Sequence, residues 1–366
     1  MPSPWIVVVM TLAALPLALI AAFMVYVIIR YSPIVARIFE EKPMFLPLRV
    51  ARTHDGEDVR FSTRNGLDLV GTYLKARSPA RTGVLIFCHE YLGDRWSALP
   101  YLDHLRDRGF DLLTFDFRNH GESDKDPKYN PLQWVTNHEV DDLRAAIAYL
   151  RTRPDADPAG FGLFGVSRGG GTALCVGSKD RGAWGVVTDG AFPTRGTMVA
   201  YIHRWAEIFV GNPWFWKLMP NTLFEYLGWT GRMRTQIRLG CRYSNVEKAV
   251  ARLSPRPWLA IHGQKDAYIG IAIAEKLFRR ADEPKSLWVV PQAKHNRCRE
   301  KDPIGYSEHL VEFFERFAPR RIKKVEVNST LESEKSKTGL LVNSVNFEPV
   351  SIQNEPGVAL PGRSMA

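Results

Sequence analysis

The stretch Gly165-Val166-Ser167-Arg168-Gly169 separates a short apolar run from a segment of small residues. That order predicts a strand over Gly160–Gly165, a sharp turn, and a helix over Gly169–Gly177. A serine at the apex of so tight a turn has strained backbone. Glycines must flank it, because a side chain there would collide with neighbouring main chain. A strand feeding a helix this abruptly belongs to a mostly parallel sheet with helices packed on its faces.

The rest of the chain alternates in the same sense. Asp58–Thr63 and Leu67–Lys75 flank Asn65-Gly66, a strong hairpin pair. Gly83–Cys88 is a continuous apolar run, as a strand buried on both faces should be. Further strands are expected at Asp111–Phe117, Gly185–Thr188, Trp258–His262 and Leu287–Val290. Helices are expected at Ala98–Arg108, Glu139–Arg153, Ile271–Arg280 and Glu308–Phe317. The α/β domain therefore runs over 58–320, doubly wound around its sheet. Residues 191–256 interrupt the alternation with large aromatics, and the polar stretch 321–366 reads as a disordered tail.

Trp5–Ile29 contains no charge. Twenty-five helical residues cross about 30 Å of hydrocarbon, so residues 1–30 read as a membrane anchor. A cleaved signal peptide is the competing reading. The run exceeds a signal's apolar core of about 7–15 residues, no basic residue precedes it, and no small-residue cleavage site follows it. Arg30, Arg37, Lys42 and Arg49 follow the span, which places the C-terminal bulk in the cytoplasm. Residues 31–57 read as a juxtamembrane connector. Cys88, Cys175, Cys241 and Cys298 show no paired spacing, so neither a disulfide framework nor a metal site is expected.

A serine hydroxyl needs a base, and the base needs an orienting acid. In sheets that present serine on an elbow, acid and then histidine follow in chain order at strand ends. Asp266 follows the strand Trp258–His262, and His295 follows the strand ending at Val290. Asp189, one strand earlier, is the rival acid. His309 falls inside the last helix, and His262 is expected to pack or to orient the Asp266 loop. The backbone N–H of Arg168 is the first expected oxyanion donor, at a helix N-terminus. The second should come from the loop after Gly83–Cys88, from Tyr91 with Glu90 as the fallback.

Together, Cys88-His89, Asp116-Phe117-Arg118-Asn119-His120-Gly121-Glu122-Ser123, the elbow and His262-Gly263-x-x-Asp266 resemble the α/β-hydrolase superfamily. The resemblance is to its esterase, monoacylglycerol lipase and serine aminopeptidase-like branch. It implies an α/β-hydrolase fold, a lid built from 191–256, and a serine hydrolase without cofactor or metal. In that branch a glycine usually follows the first histidine, but this chain has Glu90. Its carboxylate is expected to turn away, toward Arg95 or Arg118.

The insertion carries Trp205, Trp214 and Trp216 as expected substrate-lid residues. From Arg195 to Arg256 ten basic residues stand against three acidic ones, most of the chain's net charge of +10. A basic, aromatic lid on a tethered enzyme suggests a face against anionic lipid, and no nucleic-acid module is present. The expected activity is hydrolysis of carboxylic esters, lipid acyl esters among them. Peptide or thioester cleavage on the same triad is one alternative, and an inactive, membrane-tethered binding protein is another.

Overall fold

Four strands buried along their whole length dictate the centre of the molecule. The computed structural model describes residues 3–41, 47–209, 214 and 220–319. The expected tail at 321–366 lies outside them. The strands are β1 (Glu57–Ser62), β2 (Asp68–Leu74), β3 (Gly83–Cys88), β4 (Phe110–Phe115), β5 (Phe161–Val166), β6 (Ala183–Asp189), β7 (Trp258–Gly263) and β8 (Lys285–Val290). They form one sheet in the order β1-β2-β4-β3-β5-β6-β7-β8. β2 pairs antiparallel with β1 and β4, and every later pairing is parallel. β3, β4, β5 and β7 are buried along their whole length, the burden of a strand covered on both faces. The first turn is closed by Gly66 at φ +81°, where glycine meets no penalty.

Helices cover both faces. Packed on one are α3 (Asn137–Thr152) and α4 (Arg168–Gly177), through Leu143, Ile147, Ala173 and Leu174. Packed on the other are α2 (Ala98–Arg106) and the C-terminal helix Pro303–Phe317, through Leu102, Leu105, Leu310 and Phe314. α3 begins with a reciprocal cap: the Thr136 side chain takes a first-turn amide, and Glu139 reaches back to the Thr136 N–H.

The N-terminal helix α1 spans Pro4–Glu40. It is long and apolar enough to cross a membrane. It passes the expected boundary at residue 30, so the first part of the expected connector is helical. The cause is packing. Val35, Ile38 and Phe39 join Met198 and Ile202 of α5 (Thr194–Phe209) and Phe224 of α6 (Asn221–Leu239) in a third apolar cluster. The Trp134 indole N–H donates to the Phe39 carbonyl at 2.8 Å, and Glu40 pairs with Arg238. The insertion thus holds the end of α1. A short helix, Val246–Val250, completes it.

Close approach of α1 to α6 depends on Gly231, where an added Cβ would lie 2.4 Å from Val35 Cγ1. Gly231→Val is expected to weaken this packing by about 1–3 kcal/mol. Thermal unfolding of the full-length protein in detergent should show a lower midpoint.

Candidate active site

The elbow is built by steric exclusion. Ser167 has φ +51° and ψ −114°, a conformation that non-glycine residues adopt only when their surroundings compel it. A Cβ on Gly165 would meet the Gly169 carbonyl oxygen at 2.4 Å, and one on Gly169 would meet the Cys88 carbonyl oxygen at 2.1 Å. The first turn of α4 therefore sits directly against the end of β3. That contact brings the serine and the loop after β3 to one edge of the sheet.

Ser167, His295 and Asp266 are brought together there. Ser167 Oγ lies 2.9 Å from His295 Nε2, and His295 Nδ1 lies 2.6 Å from Asp266 Oδ2. Asp266 Oδ1 accepts the backbone N–H groups of Tyr268 and Ile269 at 2.9 and 2.8 Å. Burial raises the Asp266 pKa, but the bond and charge of His295, together with His262 and the Ile269 amide, bring it below the ordinary value. An ionised Asp266 can only accept, so His295 carries its proton on Nδ1 and turns an acceptor toward the serine hydroxyl. His262 Nε2 lies 2.8 Å from the Ile269 carbonyl oxygen and 3.5 Å from Asp266 Oδ2, bracing the acid's loop.

The rival acid is placed elsewhere. Asp189 is fully buried and accepts the Tyr306 hydroxyl at 3.0 Å. Burial raises its pKa to about 6. His309 stacks on Trp288 in the C-terminal helix, away from the serine.

The two expected oxyanion amides lie on the segments that the glycine contact joins. Among the described residues no acceptor takes the N–H of Arg168 or of Tyr91. His89 explains how the second is aimed. Its Nε2 accepts the Phe117 N–H at 3.0 Å, so its proton sits on Nδ1 and donates to the Glu90 carbonyl at 2.7 Å. Burial holds the ring neutral. In a trans peptide the Tyr91 N–H points opposite to that carbonyl, so His89 sets its direction. In the sequence His89 is visible only as part of the Cys88-His89 motif, because this role depends on the distant Phe117 amide. The Arg168 side chain turns into the core, 3.5 Å from Glu139 and 3.1 Å from His120 Nε2. Burial and this guanidinium push the His120 pKa down to about 3.

Glu90 departs from expectation. Arg95 is committed to Asp116 and Glu122, and Arg118 to Asp142 and Asp126. The Glu90 carboxyl instead stays buried, with Oε1 accepting the Leu48 N–H at 3.2 Å. Both arginines had local partners closer in the Asp116–Ser123 turn and α3, which sequence order alone did not rank.

A cavity of about 410 Å³ opens on Ser167 and His295. Pro47, Leu48, Glu90, Tyr91, Tyr101 and Tyr268 form much of its wall, with Lys265, Lys294 and Arg297 also lining it. Of the expected lid residues, Trp205 and Trp214 do not line it. Trp205 packs in the cluster that holds α1, Trp214 is 72% exposed, and Trp216 lies outside the described residues. A larger space of about 890 Å³ between the insertion and the helix Ile271–Phe278 is lined by none of Ser167, Asp266 and His295. Among the described residues no cluster could hold a metal ion.

An elbow serine after the fifth strand of a mostly parallel eight-stranded sheet defines the α/β-hydrolase class of fold. Residues 85–305 match the sequence profile of the Alpha/beta hydrolase family, and the chain belongs to that family. The uncharacterized protein YfhR of Escherichia coli O157:H7 is 30% identical over 263 residues, which cover 70% of this chain and 80% of that protein. The uncharacterized protein YqkD of Bacillus subtilis is 27% identical, over 68% of this chain and 76% of its own. Among solved structures, a Pyrococcus furiosus esterase superposes with a TM-score of 0.56 at 21% identity, covering 76% of this chain and all of its own.

Gly169→Ala is expected to displace the Ser167 turn, because backbone cannot yield 2.1 Å clashes cheaply. Fluorophosphonate labelling should fall at least tenfold, by a rough estimate. Asp189 offers a pH test. A raised folded-state pKa contributes stability below the unfolded value near 3.8, and this is lost as pH climbs through about 6. Asp189→Asn should therefore gain stability relative to the parent between pH 5 and pH 8, by roughly 1–1.5 kcal/mol. Urea unfolding at the two pH values reads it.

Proposed function

We propose that this chain is a membrane-anchored serine hydrolase that cleaves carboxylic esters. The observation that carries the reading is the unbroken relay from Asp266 Oδ2 through His295 to Ser167 Oγ, at 2.6 and 2.9 Å. Ser167 Oγ attacks the ester carbonyl carbon while its proton passes to His295 Nε2. Asp266 holds the imidazolium through Nδ1–H. The oxyanion of the tetrahedral intermediate accepts from the Arg168 and Tyr91 amides. Its collapse expels the alcohol, which leaves with the proton from His295, and gives an acyl-serine. Water then attacks that ester, with His295 taking its proton, and the carboxylic acid departs as the serine is restored.

The apolar helix α1 supports anchoring to a membrane. The basic residues after its uncharged stretch support a cytoplasmic site, and the basic, aromatic insertion supports contact with anionic lipid. On α6, Trp229, Met233 and Ile237 are exposed at helical spacing. Because α6 packs against the end of α1, this stripe lies close to where the chain would leave the bilayer. Lipid acyl esters are thus the natural substrates of such an enzyme.

Ser167→Ala should abolish turnover of p-nitrophenyl butyrate; undiminished turnover would end this reading. Asp266→Asn is expected to lower kcat by about a thousandfold or more. Asp189→Asn should retain kcat within about threefold, by rough estimate, because the Asp189 carboxyl accepts from Tyr306 while Asp266 holds His295 Nδ1.

A further inference from the structure

The cavity of about 890 Å³ between the insertion and the helix Ile271–Phe278 is lined by Arg195, Arg232, Lys248, Lys276 and Arg280. These five come from α5, α6, the short helix Val246–Val250, and Ile271–Phe278 with the turn after it. The tertiary fold collects them; no single helix does. Glu225 and Glu247 also line the space, but neither answers the basic groups. Glu247 caps the first turn of α5. Its Oε1 accepts the N–H groups of Arg195 and Gly196 at 2.7 and 3.0 Å, and its Oε2 accepts that of Thr194 at 3.2 Å. Glu225 is exposed, and Glu275 on the neighbouring helix pairs with Arg279 at 3.7 Å. Among the described residues none of the five basic side chains forms an ion pair with a carboxylate. Arg232 is half-buried, and burial together with the Arg195 charge pulls its pKa below the ordinary value, with Glu247 opposing. A guanidinium stays charged even so. The free protein thus holds like charges in a partly buried site, an arrangement that a bound anion relieves.

We propose that this cavity is a binding site for a phosphate monoester. A monoester phosphate carries a charge of about −1.5 to −2 at neutral pH and three acceptor oxygens, so one small group answers several cations at once. Two arginines add forked donors that match phosphate oxygens in pairs. A carboxylate, with one charge and two oxygens, would leave most of the basic groups unanswered. The surroundings favour a lipid headgroup over a free phosphate. Met198, Val199, Ile273 and Leu277 also line the space and give apolar wall beside the charges. Trp229 lines it too, and it begins the exposed stripe of Trp229, Met233 and Ile237 on α6, the helix packed against the end of α1. The site is independent of the hydrolase reading, because none of Ser167, Asp266 and His295 lines it.

The test is thermal unfolding of the full-length protein in dodecyl maltoside micelles at fixed ionic strength. The ligands are dihexyl ether phosphatidate, the matching ether phosphatidylcholine, and glycerol 3-phosphate; the ether links keep a hydrolase from consuming the lipids. Saturating phosphatidate should raise the midpoint by about 2–4 °C or more. Glycerol 3-phosphate should raise it less, and the zwitterionic lipid should leave it nearly unchanged. The double variant Arg195→Gln/Arg232→Gln should lose the shift, and Arg232→Lys should keep part of it. Lys276→Gln/Arg280→Gln, at exposed positions, should reduce it by at least half, by rough estimate. Far-UV circular dichroism matching the parent reports an intact fold in each variant. A glycerol 3-phosphate shift equal to that of phosphatidate upholds the monoester site and overturns the lipid source. The proposal is overturned if neither monoester shifts the parent, if phosphatidylcholine shifts it as much as phosphatidate, or if the full shift survives in both folded double variants.

Discussion

The contact between Gly169 and the carbonyl end of β3 is the constraint on which the site depends. No side chain fits between them, so the first turn of α4 lies against the backbone of Cys88 and His89. Three consequences follow from that proximity. Ser167 is forced into its strained conformation, the Arg168 amide heads α4, and the segment leading to Tyr91 sits beside both. The strain is borne by the sheet, whose central strands are buried on both faces and cannot shift without opening the core.

Around that contact, buried polar groups act as braces rather than as reagents. His89 ties the Glu90 carbonyl to Phe117, and thereby orients the amide of Tyr91. Arg168 points inward to Glu139 and His120. Arg95 and Arg118 close the turn Asp116–Ser123 from two sides. The three arginines each face at least one carboxylate, which is how buried charges are tolerated. The Glu90 carboxyl is held at one oxygen, by the Leu48 N–H.

The N-terminal segment is part of this architecture as well. α1 does not end where its uncharged stretch ends, because Val35, Ile38 and Phe39 have a partner surface in the insertion. Beyond it, Leu48 reaches the wall of the cavity. The segment that would leave the bilayer and the segment that shapes the substrate space are therefore separated by only a short stretch of chain. The insertion, read as a substrate cover from its aromatics, spends Trp205 on holding α1.

Local pattern alone determined a good deal of this protein. Unbroken apolar runs and turn residues located the strands, because burial on both faces leaves no alternative composition. The elbow was legible because only glycine tolerates its contacts, and Asp266 and His295 because strand ends and chain order narrow the candidates. Tertiary structure decided the rest. Whether Asp189 or Asp266 reaches the histidine depends on loop geometry that follows no periodicity. Glu90's partner came from residue 48, and α1's extension from a helix some two hundred residues away; neither leaves a trace in the local sequence. Side chains distant in sequence meet only once the sheet has set where each strand ends, so composition can say that a group must be satisfied but not by whom.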